Sequence, residues 1–89
     1  MPTPNPLAPE EALGAVVRAR VLRLVAELGP GQVEGLHPLI LREVERSLLS
    51  TILEVTHGHR GEAARVAGLH RNSLRLRLRA LGLDGERAS

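Results

Sequence analysis

Residues 58–83 read GHRGEAARVAGLHRNSLRLRLRALGL, and three positions in this run make different demands on the backbone at once. With Arg60 counted as first, Ala64 stands fifth, Gly68 ninth and Leu74 fifteenth. A small residue at the fifth place lets two helices approach and a glycine at the ninth makes the turn between them. An apolar residue at the fifteenth aims the second helix inward. The spacing predicts two short helices crossing over a tight turn, the layout of a helix-turn-helix.

The remainder also reads as helix. Met1–Pro9 holds four prolines and no apolar period, so an extended, mobile arm is expected. Pro9 suits a first helical turn, and Glu10 and Glu11 place negative charge where the helix dipole favours it. Leu13, Val16, Val17, Val21, Leu24, Val25 and Leu28 then recur at helical spacing until Gly29-Pro30-Gly31. A loop over 30–38 is punctuated by Gly31, Gly35 and Pro38. The second helix is expected from His37 or Pro38 to Thr56, with Leu41, Val44, Leu48, Ile52 and Val55 on one face and Leu49 and Leu53 beside it. Glu43 and Arg46 can pair on its wet side. Gly58 is read as its C-terminal cap. A third helix over about 60–67, a Gly68-Leu69-His70 turn and a fourth helix over about 71–81 ending at Gly82 complete the chain. No strand pattern and no internal repeat is present, so the predicted class is all-α with four helices.

An 89-residue chain without Phe, Tyr or Trp must build its core from Leu, Val, Ile and Ala, and such a core is thin. With no cysteine available for disulfides, self-association is the expected remedy. Two copies of the first helical hairpin would pack into an intertwined dimer core through Val17, Val21 and Leu24 of the first helix and Leu41, Val44, Leu48 and Ile52 of the second. An intramolecular three- or four-helix bundle is the alternative. The expected organisation is an arm over 1–9 and one domain over 10–89, divided into dimerisation helices (10–56) and a helix-turn-helix (60–79). No apolar run approaches the roughly 18 residues of a membrane span, and the proline-rich start lacks the plan of a signal peptide. A cytoplasmic protein is expected.

Charge is distributed unevenly. Residues 1–56 carry five Arg against seven Glu, whereas residues 57–89 carry seven Arg against three acidic residues, so the positive charge sits in the helix-turn-helix segment. That is the footprint of a polyanion binder, although a solvated basic helix has the same composition. At 100° per residue, Leu74, Leu78 and Leu81 share one sector of the fourth helix and must face the domain. Asn72, Ser73, Arg75, Leu76 and Arg79 occupy the opposite sector, flanked by Arg71 and Arg77. Guanidinium groups on this face can bind guanine O6 and N7 bidentately, and Leu76 can meet a thymine methyl or stand as a tolerated surface leucine. Arg71, in the first turn, is best placed for the groove floor; Arg75, Arg77 and Arg79 suit phosphates.

Other classes compete with a double-stranded DNA reader. His57, His59 and His70 with Glu54 or Glu62 are the only material for a zinc or catalytic site, and histidines beside a basic helix more often contact phosphate; no enzyme, metal or cofactor is expected. A protein interaction module would use the first helix's wide apolar stripe and leave the arginines solvated. Single-strand recognition usually stacks bases on aromatic rings, and the chain has none.

The run from Leu36 to Leu83 resembles the Fis-family DNA-binding domain, also found at the C-terminus of nitrogen-regulation-type transcription activators. The shared elements are Leu41, Glu43-Val44-Glu45, Leu48-Leu49, Thr56, Gly58, Ala63-Ala64, Gly68, Arg71, Leu74-Arg75, Leu78 and Gly82. The resemblance implies a dimer core that includes the second helix and a DNA reader made of the last two. It further implies Arg71, Ser73, Arg75 and Arg77 at the DNA and His59, Arg60 and Gly61 near its backbone. The nucleoid becomes the expected location and the transcription machinery a further partner to consider. This chain departs from the family pattern at His59-Arg60 in place of Asn-Gln, at His70 in place of Asn, at Leu76 in place of Lys, and at Glu62 where some members carry Arg.

Overall fold

A computed structural model describes residues 9–84, with four α-helices and one 3-10 turn and no strand among them. The helices are α1 (Pro9–Leu28), α2 (Leu36–Val55), α3 (Arg60–Ala67) and α4 (Arg71–Ala80). Their boundaries fall within about two residues of the expected ones. The chain divides inside α2, between Ile40 and Leu41, into two compact units. The expected arm lies outside the described residues except for Pro9, which is the first residue of α1.

In the first unit, α1 ends where Gly29 turns to φ +86° and donates its N–H to the Val25 carbonyl at 2.8 Å. The 3-10 turn Pro30–Gln32 follows within the expected loop. Of the α1 stripe, Val17, Val21, Leu24 and Val25 are half-buried, while Leu13, Val16 and Leu28 are exposed. Arg23 Nε pairs with Glu27 Oε2 one turn on, at 3.2 Å. α2 begins at Leu36, ahead of the expected His37 or Pro38. Pro38 is tolerated because N–H groups of a first helical turn have no intrahelical acceptor, so the missing donor costs nothing there.

The second unit holds every buried residue among the described side chains. Leu49 and Ile52 of α2, Ala63 and Ala64 of α3, and Leu74, Leu78 and Leu81 on and after α4 form one cluster, edged by Leu53, Ala67, Leu69 and Leu83. Two alanines in succession leave α3 nothing bulky on its inner side, and the leucines of α2 and α4 close over it. Thr56 is the one buried polar residue in this set, and its Oγ1 donates to the Ile52 carbonyl at 2.8 Å, so its hydroxyl is satisfied by the last turn of α2.

Three helix ends repeat one hydrogen-bonded closure, in which an amide reaches back five residues to a carbonyl. Gly58 N–H donates to Leu53 O at 2.8 Å, Leu69 N–H to Ala64 O at 2.9 Å and Leu83 N–H to Leu78 O at 2.8 Å. In each case the preceding residue is left-handed: His57 (φ 55°), Gly68 (φ 78°) and Gly82 (φ 74°). The expectation that Gly58 itself caps α2 is corrected by one position. His57 takes the left-handed cap and Gly58, at φ 79°, carries the chain away.

Candidate nucleic-acid interface

The outward face of α4 follows from its anchors. Leu74 and Leu78 are one helical turn apart and fully buried, which turns Asn72, Ser73, Arg75, Leu76 and Arg79 to the exposed side, while Arg71 and Arg77 flank that sector and are exposed as well. Leu76 is 48% exposed in the middle of this basic face. The inward and outward sectors are those expected from the spacing.

Within that face the arginines are held differently. Arg75 Nη2 donates to Asn72 Oδ1 at 2.6 Å. Arg77 Nε lies 3.3 Å from Glu45 Oε2 on α2, and Arg79 Nε lies 3.8 Å from Asp84 Oδ2. Among the described residues no hydrogen bond or ion pair holds the Arg71 guanidinium; it lies over Gly61, in the first turn of α3. Arg60 Nη1 donates to the Gly58 carbonyl at 3.3 Å, folding back on its own turn.

Histidines occupy the positions immediately before α3 and α4. His59 and His70 have extended backbones and neither side chain caps the helix it precedes. The first-turn N–H groups of α3 and α4 are thereby left for other acceptors, and each of these two starts is the positive end of its helix dipole. Glu62, in the first turn of α3, hydrogen-bonds Arg65. That bond, the Arg65 charge and, to a smaller extent, His59 hold its carboxyl below the usual carboxylate range, and the same pairing raises Arg65. No group of three His, Asp or Glu side chains converges on a metal-binding position among the described residues, so His57, His59 and His70 are not gathered into a ligand set.

Sequence reasoning missed three α2 residues that hold α4. Arg42 Nη1 donates to the Ala80 carbonyl at 3.0 Å, and Arg46 Nη1 donates to the Leu81 carbonyl. With Glu45 on Arg77, positions 42, 45 and 46 form one patch of α2 set against the C-terminal half of α4. Their i, i+3, i+4 spacing is the available signal, and in sequence it is indistinguishable from a solvated face. A helix C-terminus exposes carbonyl oxygens and attracts cations, so two arginines in register are a cap supplied from another helix.

The expected dimer positions also separate. Leu41 and Leu48 are exposed in the single chain and Val44 is half-buried, whereas Ile52 is buried in the core with Leu74 and Leu78. Ile52 is therefore already covered within the chain.

Residues 40–81 match the family described as bacterial regulatory protein, Fis family. The chain is similar to the DNA-binding protein Fis of Photobacterium profundum and to that of Vibrio atlanticus. Each is 37% identical over 68 residues, covering 76% of this chain and 69% of the relative. The protein of the same name from Vibrio campbellii is equally similar, at 37% over 68 residues. This chain belongs to the Fis family. The family match begins one residue before the second compact unit and runs to Leu81, so it takes in every buried residue of the core formed by α2, α3 and α4. Both arginines of the α4 clamp and Glu45 lie inside the Fis-family match. No solved structure matches this chain.

Proposed function

We propose that this Fis-family protein binds double-stranded DNA with a sequence preference, as a homodimer, and acts as a transcription regulator or a DNA-bending nucleoid protein. The observation that carries this reading is the α4 face itself: arginines on the exposed side, backed by fully buried Leu74 and Leu78. α4 enters the major groove with its N-terminal end leading, so Arg71, Asn72 and Ser73 meet base edges, and Leu76 meets a thymine methyl. Arg75, Arg77 and Arg79 hold phosphates, joined by His59, Arg60, Gly61 and His70 around the two helix starts. The dimerisation segment is 10–56 and the helix-turn-helix 60–79. Exposed Leu41 and Leu48 supply apolar surface for a second copy, with Val44 beside them and Val17, Val21 and Leu24 on α1. Successive major grooves lie about 34 Å apart on straight DNA, and a compact dimer with closer reading helices draws the duplex into a bend. The location is the cytoplasmic nucleoid, with the transcription machinery as a further partner, and no catalytic role is assigned. No helix among the described residues is long and apolar enough to cross a membrane.

The test is anisotropy of a labelled duplex at several salt concentrations. Phosphate contacts release counterions, so log affinity should fall linearly with log salt with a slope of several units, about 0.9 for each phosphate neutralised. A flat slope, or equal affinity for single strands, would overturn the reading and leave the arginine face as solvated surface.

A further inference from the structure

Gly61 is a helical glycine with no turn to make. Its φ lies outside the left-handed region, and at the second position of α3 an alanine would favour the helix more. Backbone conformation therefore does not account for a glycine here. Space does: an ideal Cβ on Gly61 would lie 2.6 Å from Arg71 Nη2 and 3.2 Å from both Cζ and Nε. The first distance is closer than real Cβ atoms come to any neighbour, so the guanidinium and a side chain at 61 exclude one another.

We propose that Gly61 is a specificity-determining position, which leaves the surface over the first turn of α3 to the Arg71 guanidinium and so sets the direction from which that arginine approaches a base. This rests on the reading of Arg71 as a base-contacting residue. Among the described residues no polar partner holds the guanidinium, so its pose depends on the surface beneath it. Bidentate recognition of guanine O6 and N7 requires the plane of the fork to arrive in one orientation, and a fork already confined loses less freedom on binding. The colliding atoms are the far end of a flexible side chain, with no backbone atom of α4 among them. A methyl group at 61 displaces Arg71 and leaves the α3–α4 packing in place.

The experiment compares the wild type, Gly61→Ala, Arg71→Ala and the double variant. The probes are a duplex selected by the wild-type protein from a randomised pool and a scrambled duplex of equal length, at fixed salt. Gly61→Ala should melt no lower than the wild type. It should lose about tenfold in the selected-to-scrambled affinity ratio, keep the same salt slope, and cause no further loss in the Arg71→Ala background. In the free wild type, a nuclear Overhauser effect between Gly61 Hα and the Arg71 guanidinium should be visible. An Arg71→Ala ratio equal to the wild type's overturns base reading by Arg71, and the inference with it. Loss of the ratio in Arg71→Ala but not in Gly61→Ala overturns the role of Gly61 and leaves that of Arg71 standing. Equal weakening of both duplexes by Gly61→Ala, persisting without Arg71, would mean that the place of Gly61 beside the DNA backbone, and not its effect on Arg71, is what the glycine serves, and would also overturn the inference.

Discussion

Neighbouring arginines on α4 stand in different electrostatic settings. Arg77 is 60% exposed but its Nε is engaged by Glu45, itself 31% exposed, at 3.3 Å. A pair this open to water contributes little to stability, and its main effect is to set where the guanidinium spends its time. A phosphate that recruits Arg77 must compete with that carboxylate. Glu45→Gln is expected to strengthen binding to every duplex alike, by a few-fold at low salt, because it frees the cation and removes a negative charge near the DNA. Arg77→Ala should weaken all duplexes alike and lower the salt slope by about one unit. Anisotropy on selected and scrambled duplexes checks both; a change in sequence preference from either variant would make Arg77 a base reader.

At the scale of elements, α4 is held from its two ends by different means. The turn before it depends on Gly68, whose φ of 78° is the left-handed value and whose added Cβ would meet nothing within 4 Å. The far end depends on Arg42 and Arg46, which reach across from α2 to the Ala80 and Leu81 carbonyls. Removing both guanidinium groups leaves those carbonyls to water. Arg42→Ala with Arg46→Ala should cost about 1–3 kcal/mol in denaturant unfolding, taking each charged hydrogen bond at the modest net value of an accessible site. Faster amide exchange in the last turn of α4 in the double variant than in the wild type would place the loss at the end that Arg42 and Arg46 cap. Exchange there equal to the wild type's would show that they do not hold that end.

For the whole molecule, the decisive contrast lies between adjacent residues of α2. Leu48 is 54% exposed and Leu49 is 2% exposed, so one points away from the core that the other fills. An arginine at 49 would be a buried unpaired charge and should unfold the second unit. An arginine at 48 is tolerated by the single chain and costs only what a partner copy would have covered. Leu48→Arg is therefore expected to remain helical by circular dichroism while sedimenting as a monomer and binding DNA far more weakly; Leu49→Arg should lose its helix signal. A Leu48→Arg protein that sediments like the wild type would remove α2 from the dimer interface.

The local pattern determined the elements: leucine and valine at helical spacing, proline and glycine between runs, and small residues at the crossing placed four helices and the inward sector of α4. These features are legible because they are dictated by backbone geometry within a few residues of each position. The Fis-family resemblance over Leu36–Leu83 was legible for the same reason, since its positions are spacings along one strip of chain. Tertiary structure alone decided what the polar residues of α2 and the start of α3 meet. Arg42, Glu45 and Arg46 look like a wet face until α4 is set against them, more than thirty residues away in the sequence, and Gly61 looks like a weak helix residue until Arg71 covers it. It also decided that Ile52 is spent within the chain while Leu48 is not, because helical periodicity orders residues around an axis without saying which side another helix will take.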